Sequence, residues 1–166
     1  MFEDLRQLYQ EVILDHSRHP RNFHQPDNTT HQAKGDNPLC GDKIIVYLRI
    51  NTDGVIEEAG FLGKGCAIST ASASMMTQLI KNKKQDEVRR VFDYFHHLCT
   101  QENSISPDNQ TVHPEAMEKL QVLSGVRQFP VRVKCATLPW HAMVAAMEGK
   151  QSISTEETFP MMRTQT

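Results

Sequence analysis

Two apolar segments joined by a tight turn are the strongest structural signal in the sequence. The first, IIVYLRI at residues 44–50, alternates in a way typical of a strand with one buried face. The side chains on that face are Ile44, Val46, Leu48 and Ile50. The turn sequence NTDG follows at residues 51–54, and VIEEAGFLG at residues 55–63 predicts the returning strand. An antiparallel hairpin with one apolar face is stable only when another layer covers that face.

Amphipathic helices are predicted for most of the remaining chain. Apolar residues recur at helical spacing near the N-terminus, from Leu5 to Ile13, and His19-Pro20 ends that helix. Further helices are predicted over residues 67–81, 85–100, 114–125 and 136–148. Residues 20–37 are polar and indicate a loop with a short edge strand. The sequence therefore predicts an α+β fold in which a small antiparallel sheet of about three strands carries helices on one face.

The chain length fits one domain. With 166 residues, it can form a single hydrophobic core. We expect this domain to span residues 1–150, with a helical insertion near residues 83–113. Residues 151–166 are polar and show no periodicity, so we expect a frayed tail.

Charge and hydropathy disfavour two classes of partner. The net charge of −2 provides no basic surface for nucleic acid. No apolar run approaches the roughly 20 residues that span a bilayer. The N-terminus is acidic and polar, whereas a secretory signal is basic and then apolar. We therefore expect a cytoplasmic protein, and the lack of a signal for a large apolar patch favours a monomer with transient partners.

Four cysteines remain to be explained, and three of them lie at the predicted ends of elements. Cys40 lies in a loop before a strand, while Cys66 and Cys135 each precede a predicted helix, where the helix dipole should lower the thiol pKa. Cys99 falls on the apolar stripe of a helix and is expected to be a packing residue. In a reducing compartment, cysteines are more often metal ligands, catalytic thiols or buried apolar groups than disulfides.

If the three loops meet, they bring together Cys40, Asp42, Cys66 and Cys135. Three thiolates and one carboxylate suit tetrahedral zinc. They would equally hold an iron–sulfur cluster that is labile because one ligand is a weak oxygen. The sequence contains no CxxC pair, so spacing alone leaves a metal site and incidental thiols as equal alternatives.

Three motifs in order resemble the signatures of the IscU/NifU-like iron–sulfur assembly family. They are NPLCGDKI at residues 37–44, GKGCAISTASASMM at 63–76 and FPVRVKCATLPWHAM at 129–143. In the IscU branch, a histidine precedes the third cysteine and a Leu-Pro-Pro-Val-Lys segment lies just upstream. This chain has Lys134 and the sequence FPVRV at those places. These differences and the insertion resemble the SufU branch.

The resemblance implies a function and a set of site residues. SufU-type proteins bind one zinc ion through the equivalents of Cys40, Asp42, Cys66 and Cys135, and Cys40 accepts persulfide sulfur from a cysteine desulfurase. The alternative is a scaffold that assembles a transient iron–sulfur cluster and passes it to downstream assembly proteins. We further hypothesise that Arg132 and Lys134 favour the thiolate forms and help to seat an acidic partner surface.

Overall fold

The predicted hairpin forms the centre of the sheet. The structure is a computed structural model that describes residues 2–100 and 112–155. Its strands are β1 (His31–Asn37), β2 (Asp42–Ile50), β3 (Val55–Lys64), β4 (Lys83–Lys84) and β5 (Ser152–Ser154). Its helices are α1 (Phe2–Arg18), α2 (Ala67–Ile80), α3 (Gln85–Thr100), α4 (Pro114–Leu120) and α5 (Pro130–Met147), and a 3₁₀ segment (Gln121–Gln128) follows α4.

The strand order in the sheet is β4-β3-β2-β1-β5. The α+β class and the antiparallel hairpin are confirmed, but the described residues contain five strands rather than about three. The two additional strands are β4 and β5, of two and three residues, which are too short to carry a periodic signal. β1 runs antiparallel to β2, and their ladder extends to the pair Asn37–Asp42.

The buried face of the hairpin is the one that the alternation predicts. Its four apolar residues on β2 are all buried, and Val46 and Leu48 are fully inaccessible to solvent. α5 packs on β1 and β2, whereas α2 packs on β3 and on α5. Trp140 of α5 is completely buried, and its indole N–H donates to the Ser72 hydroxyl of α2 at 3.1 Å. The helices that carry Cys66 and Cys135 are therefore fixed to each other and to the sheet.

The predicted insertion contributes to the same core. α3 lies against α5, and the ring centroids of Phe95 and Trp140 are 4.9 Å apart. Cys99 is fully buried on this helix, which confirms the prediction that it is a packing residue. Burial raises the pKa of the Cys99 thiol to about 12. The part of the insertion at residues 101–111 lies outside the described residues.

α5 begins six residues earlier than predicted. We expected a helix over residues 136–148, but it begins at Pro130, with Phe129 as the N-cap. β-branched Val131 and Val133 disfavour a helix locally, yet burial of Val133 against the core outweighs that preference. Pro139 was expected in the first turn and lies instead in the helix interior. Because proline has no N–H, the backbone carbonyl of Cys135 lacks its usual helical donor.

The expected frayed tail is partly ordered. Ser152–Ser154 forms β5, which pairs in parallel with residues 34–36 of β1. Backbone pairing needs no hydrophobic periodicity, which explains why the sequence pattern does not reveal this strand. Residues 156–166 lie outside the described part of the chain. Among the described helices, none is both long and apolar enough to cross a membrane.

Candidate metal centre

Three separate segments deliver the four predicted ligands to one end of the sheet. Cys40 lies in the turn between β1 and β2, and Asp42 is the first residue of β2. Cys66 is the N-cap of α2, directly after β3. Cys135 lies in the second turn of α5, not before the helix as predicted. Gly41 has a φ of 69°, a left-handed conformation that favours glycine, and this turn brings Cys40 back over the start of β2.

Three of the four ligand atoms form a tight group. One ligand atom from each of Cys40, Asp42 and Cys135 lies within 4.8 Å of the other two. The sulfur atoms of Cys40 and Cys135 are 3.2 Å apart. Cys40 is partly exposed, whereas Asp42 and Cys135 are fully buried. Within this group, the thiol of Cys40 is therefore accessible to solvent, whereas Asp42 and Cys135 are not.

Cys66 adjoins this group and interacts with both Asp42 and Cys135. Its backbone N–H donates to Asp42 Oδ1 at 2.9 Å. Its sulfur caps α2 by accepting from the Ser69 N–H at 3.5 Å. Interaction with the Cys135 thiol, together with the Ser69 N–H, lowers the pKa of Cys66 to about 6, although burial opposes this shift. The lowered pKa predicted for Cys66 is confirmed.

The corresponding prediction for Cys135 is wrong. The pKa of Cys135 is raised, first because its thiol proton is shared with the Cys66 sulfur and second because the side chain is buried. The predicted decrease assumed a position at a helix N-terminus, where unpaired N–H groups stabilise a thiolate. One turn further into α5, the neighbouring N–H groups are already engaged in helical hydrogen bonds. Without a cation, the two sulfurs therefore share one negative charge rather than carrying two.

Asp42 is the most constrained member of the site. Its carboxylate is fully buried, and it accepts hydrogen bonds from the Cys66 backbone and from the side-chain amide of Asn37 at 3.3 Å. A Cβ atom added to Gly65 would overlap Ser69 Oγ and lie 2.9 Å from Asp42 Oδ1. Only glycine at position 65 therefore lets the β3–α2 connection pass this close to the carboxylate. A buried carboxylate is stable when it is paired or binds a metal.

The donor set fits zinc. Zinc binds thiolates at about 2.3 Å and carboxylate oxygens at about 2.0–2.2 Å, so ligand atoms in a tetrahedral site lie roughly 3.3–3.8 Å apart. The ligand atoms of Cys40, Asp42 and Cys135 lie within 4.8 Å of one another, which is close to this spacing. Cys66, which adjoins the group, is the fourth candidate ligand. Zinc would also neutralise the negative charge that the buried carboxylate and thiols accumulate.

The two basic residues predicted to support the site differ in exposure. Arg132 is exposed on the first turn of α5, whereas Lys134 is buried next to Cys135 in the chain. Sequence reasoning assigned no role to Asn37, Ser69 or Gly65, all of which contact the site. Two signals in the sequence could have indicated these roles: Asn37 lies within the motif NPLCGDKI, and Gly65 directly precedes Cys66.

The fold and this group of thiols and a carboxylate define a small α+β domain with a candidate metal centre. Residues 8–136 match the model of the family described as the NifU-like N terminal domain. The chain therefore belongs to this family, and the resemblance found in its three motifs is confirmed.

Two similar proteins carry different functional names. The chain is 39% identical over 150 residues to the zinc-dependent sulfurtransferase SufU of Bacillus subtilis, covering 88% of this chain and 95% of the relative. It is 36% identical over 145 residues to the iron–sulfur cluster assembly scaffold protein IscU of Streptococcus pyogenes, covering 87% and 85%. A role in iron–sulfur cluster assembly is thus supported.

A solved structure supports the same fold and family. It is a protein described as an iron–sulfur cluster assembly scaffold for the SUF system from Fervidobacterium islandicum. Its TM-score is 0.71 at 27% identity, with 85% of this chain and 97% of that chain covered.

Gly65→Ala should weaken zinc binding by about tenfold, because the added Cβ displaces Asp42 and the first turn of α2. Zinc affinity is measured by competition with a chromophoric chelator. Gly125→Ala is the matched control, since a Cβ at that position meets no atom within 4 Å. Equal zinc affinities in the two variants would contradict this account of the site.

Proposed function

We propose that the protein is a zinc-dependent sulfur acceptor that takes persulfide sulfur from a cysteine desulfurase for iron–sulfur cluster assembly. The observation that carries the proposal is one partly exposed thiol, Cys40, packed 3.2 Å from a buried thiol and grouped with a buried carboxylate. The 39% identity to a protein named as a zinc-dependent sulfurtransferase supports it. The proposed ligands are Cys40, Asp42, Cys66 and Cys135.

Exposure assigns the roles of the three thiols. Cys40 is the sulfur acceptor because it is partly exposed in a surface turn, whereas Cys135 is fully buried in α5. Cys66 is partly exposed, but its sulfur caps α2, and its movement would uncap the helix. Bound zinc would keep the thiols deprotonated at neutral pH. The exposed Leu39 next to Cys40 provides apolar surface for a partner at the point of transfer.

The transfer step is an exchange without net oxidation. The Cys40 thiolate attacks the terminal sulfur of a persulfide on the desulfurase. The new bond joins the Cys40 sulfur to that terminal sulfur, and the sulfur–sulfur bond of the donor breaks. The electron pair of the broken bond leaves with the desulfurase cysteine as a thiolate. Cys40 then carries the persulfide for delivery to a downstream assembly protein.

Cys40→Ala should abolish sulfur loading and the stimulation of desulfurase turnover, while the melting temperature of the protein remains close to that of the wild type. Loading is measured with cysteine labelled with radioactive sulfur, a cysteine desulfurase and the purified chain. Cys99→Ala is the control, because Cys99 is buried in the core on α3. Normal desulfurase stimulation by Cys40→Ala would contradict the acceptor role and leave only partner docking.

A scaffold that assembles a transient iron–sulfur cluster is the second candidate function. It is favoured by relatives named as scaffolds, including IscU of Streptococcus pyogenes. Metal analysis of freshly purified protein separates the two functions. We expect one zinc per chain and a colourless solution, because the donor set suits zinc. A brown protein with iron, acid-labile sulfide and visible absorption would instead support the scaffold.

The hypothesis for Arg132 is that its exposed charge steers an acidic partner surface towards Cys40. Arg132→Glu should raise the desulfurase concentration that gives half-maximal transfer by about threefold to tenfold at low salt, with a smaller effect at high salt. Lys84→Glu is the control, because Lys84 lies far from the site. It pairs with Val55 at the start of β3, and the site adjoins the other end of this strand, Lys64, about 30 Å away. Equal effects of the two reversals would argue against a local role for Arg132.

A further inference from the structure

A buried chain of hydrogen bonds connects the C-terminal strand to the metal centre. Asn37, the last residue of β1, is fully buried, and its side-chain nitrogen donates to Asp42 Oδ2 at 3.3 Å and lies 3.6 Å from Cys135 Sγ. Its side-chain oxygen accepts a hydrogen bond from the Thr155 hydroxyl at 3.2 Å. Thr155 is also fully buried. One amide thus contacts a carboxylate, a thiol and a hydroxyl.

We propose that Asn37 is a positioning residue of the metal centre and that Thr155 fixes its orientation. An amide side chain has two N–H donors and one acceptor oxygen. The Thr155 hydroxyl can donate to that oxygen, which leaves both N–H groups facing Asp42 and Cys135. In the flipped orientation, the amide oxygen would face the Asp42 carboxylate and, with a metal bound, the Cys135 thiolate, and it would repel both.

The contacts of Asn37 restrict the ligands that they touch. Asp42 Oδ1 accepts from the Cys66 backbone and Oδ2 from Asn37, so each carboxylate oxygen has a donor that limits rotation of the group. An N–H group directed at a thiolate sulfur stabilises the charged form that binds metal. Partners of metal ligands commonly change metal affinity by 10- to 100-fold when they are mutated.

The sheet register explains how a residue near the end of the described chain reaches the site. β5 pairs in parallel with β1 from Lys34–Ser152 to Asp36–Ser154. The next position along this ladder places Thr155 beside Asn37. The three-residue strand β5 therefore positions the hydroxyl that orients the amide, although 118 residues separate the two side chains.

The inference rests on the metal site of the proposed function, and Asn37→Asp tests it most directly. This change keeps the size of the side chain but replaces the donors with a carboxylate that repels Asp42 and the Cys135 thiolate. Zinc affinity, measured by chelator competition, should fall by about 10- to 100-fold. In the cobalt-substituted protein, the visible and thiolate charge-transfer bands should shift, because the ligands around the ion have moved. A change in folding stability alone would not produce these shifts.

Three threonine variants test the role of β5. Thr155→Val removes the hydroxyl at nearly constant volume and should lower zinc affinity by about threefold to tenfold, the range of one neutral hydrogen bond. Thr155→Ser retains the hydroxyl and should restore the wild-type affinity and cobalt spectrum. Thr77→Val is the matched control, because Thr77 is equally buried on α2, about three turns from Cys66.

The outcomes separate this inference from the proposed function. If wild-type protein binds zinc tightly, and Asn37→Asp and Thr155→Val bind it equally well with unchanged cobalt spectra, the positioning role is wrong. If Thr77→Val has the same effect as Thr155→Val, the effect is one of general stability and the role is again wrong. Should Asn37→Asp fail to fold, the comparison of Thr155→Val with Thr155→Ser decides. Wild-type protein that binds neither zinc nor cobalt would overturn both the inference and the proposed metal site.

Discussion

The hydrogen bond from the Cys66 backbone to the buried carboxylate of Asp42 joins the two segments that define the site. At 2.9 Å it connects the first residue of β2 to the N-terminus of α2, and Gly65 provides the space for it. A buried carboxylate is costly unless donors or a cation compensate its charge. Two donors compensate the charge of the carboxylate, and the thiols grouped with it make the site a candidate for binding a cation.

The sheet and α5 place the two other candidate ligands, Cys40 and Cys135, beside this contact. β1 ends at Asn37 and β2 begins at Asp42, and these two residues pair in the ladder. The turn between them contains Cys40, whose sulfur lies within 4.8 Å of a carboxylate oxygen of Asp42. α5 packs on the same two strands and brings Cys135 to within 3.2 Å of Cys40. Asp42 and Cys135 are buried on elements of one core, whereas Cys40 is partly exposed in a turn and Cys66 is partly exposed at the N-cap of α2. This division suits a site in which one thiol reacts and the others retain the metal.

The parts of the molecule that the sequence predicts are those with a local pattern. Alternation identified the buried face of β2, and the three motifs identified all four candidate ligands. The position of Cys135 was missed because Val131 and Val133 have low helix propensity, which packing of α5 overrides. β5 and the contact between Thr155 and Asn37 were missed because a three-residue strand has no measurable periodicity.

The neighbours of the two buried cysteines, Cys99 and Cys135, separate their roles more clearly than sequence spacing does. Cys99 lies in the hydrophobic core, and burial raises its pKa to about 12, which keeps it a neutral thiol. Cys135 is buried just as completely, yet its neighbours are Asn37, Cys40 and Asp42 rather than hydrocarbon. A buried thiol grouped with a second thiol and a carboxylate has other potential metal ligands beside it, whereas a thiol in hydrocarbon contributes only packing. The contrast between Cys135 and Cys99 therefore favours a metal ligand at one position and a core residue at the other, in a single chain with four free thiols.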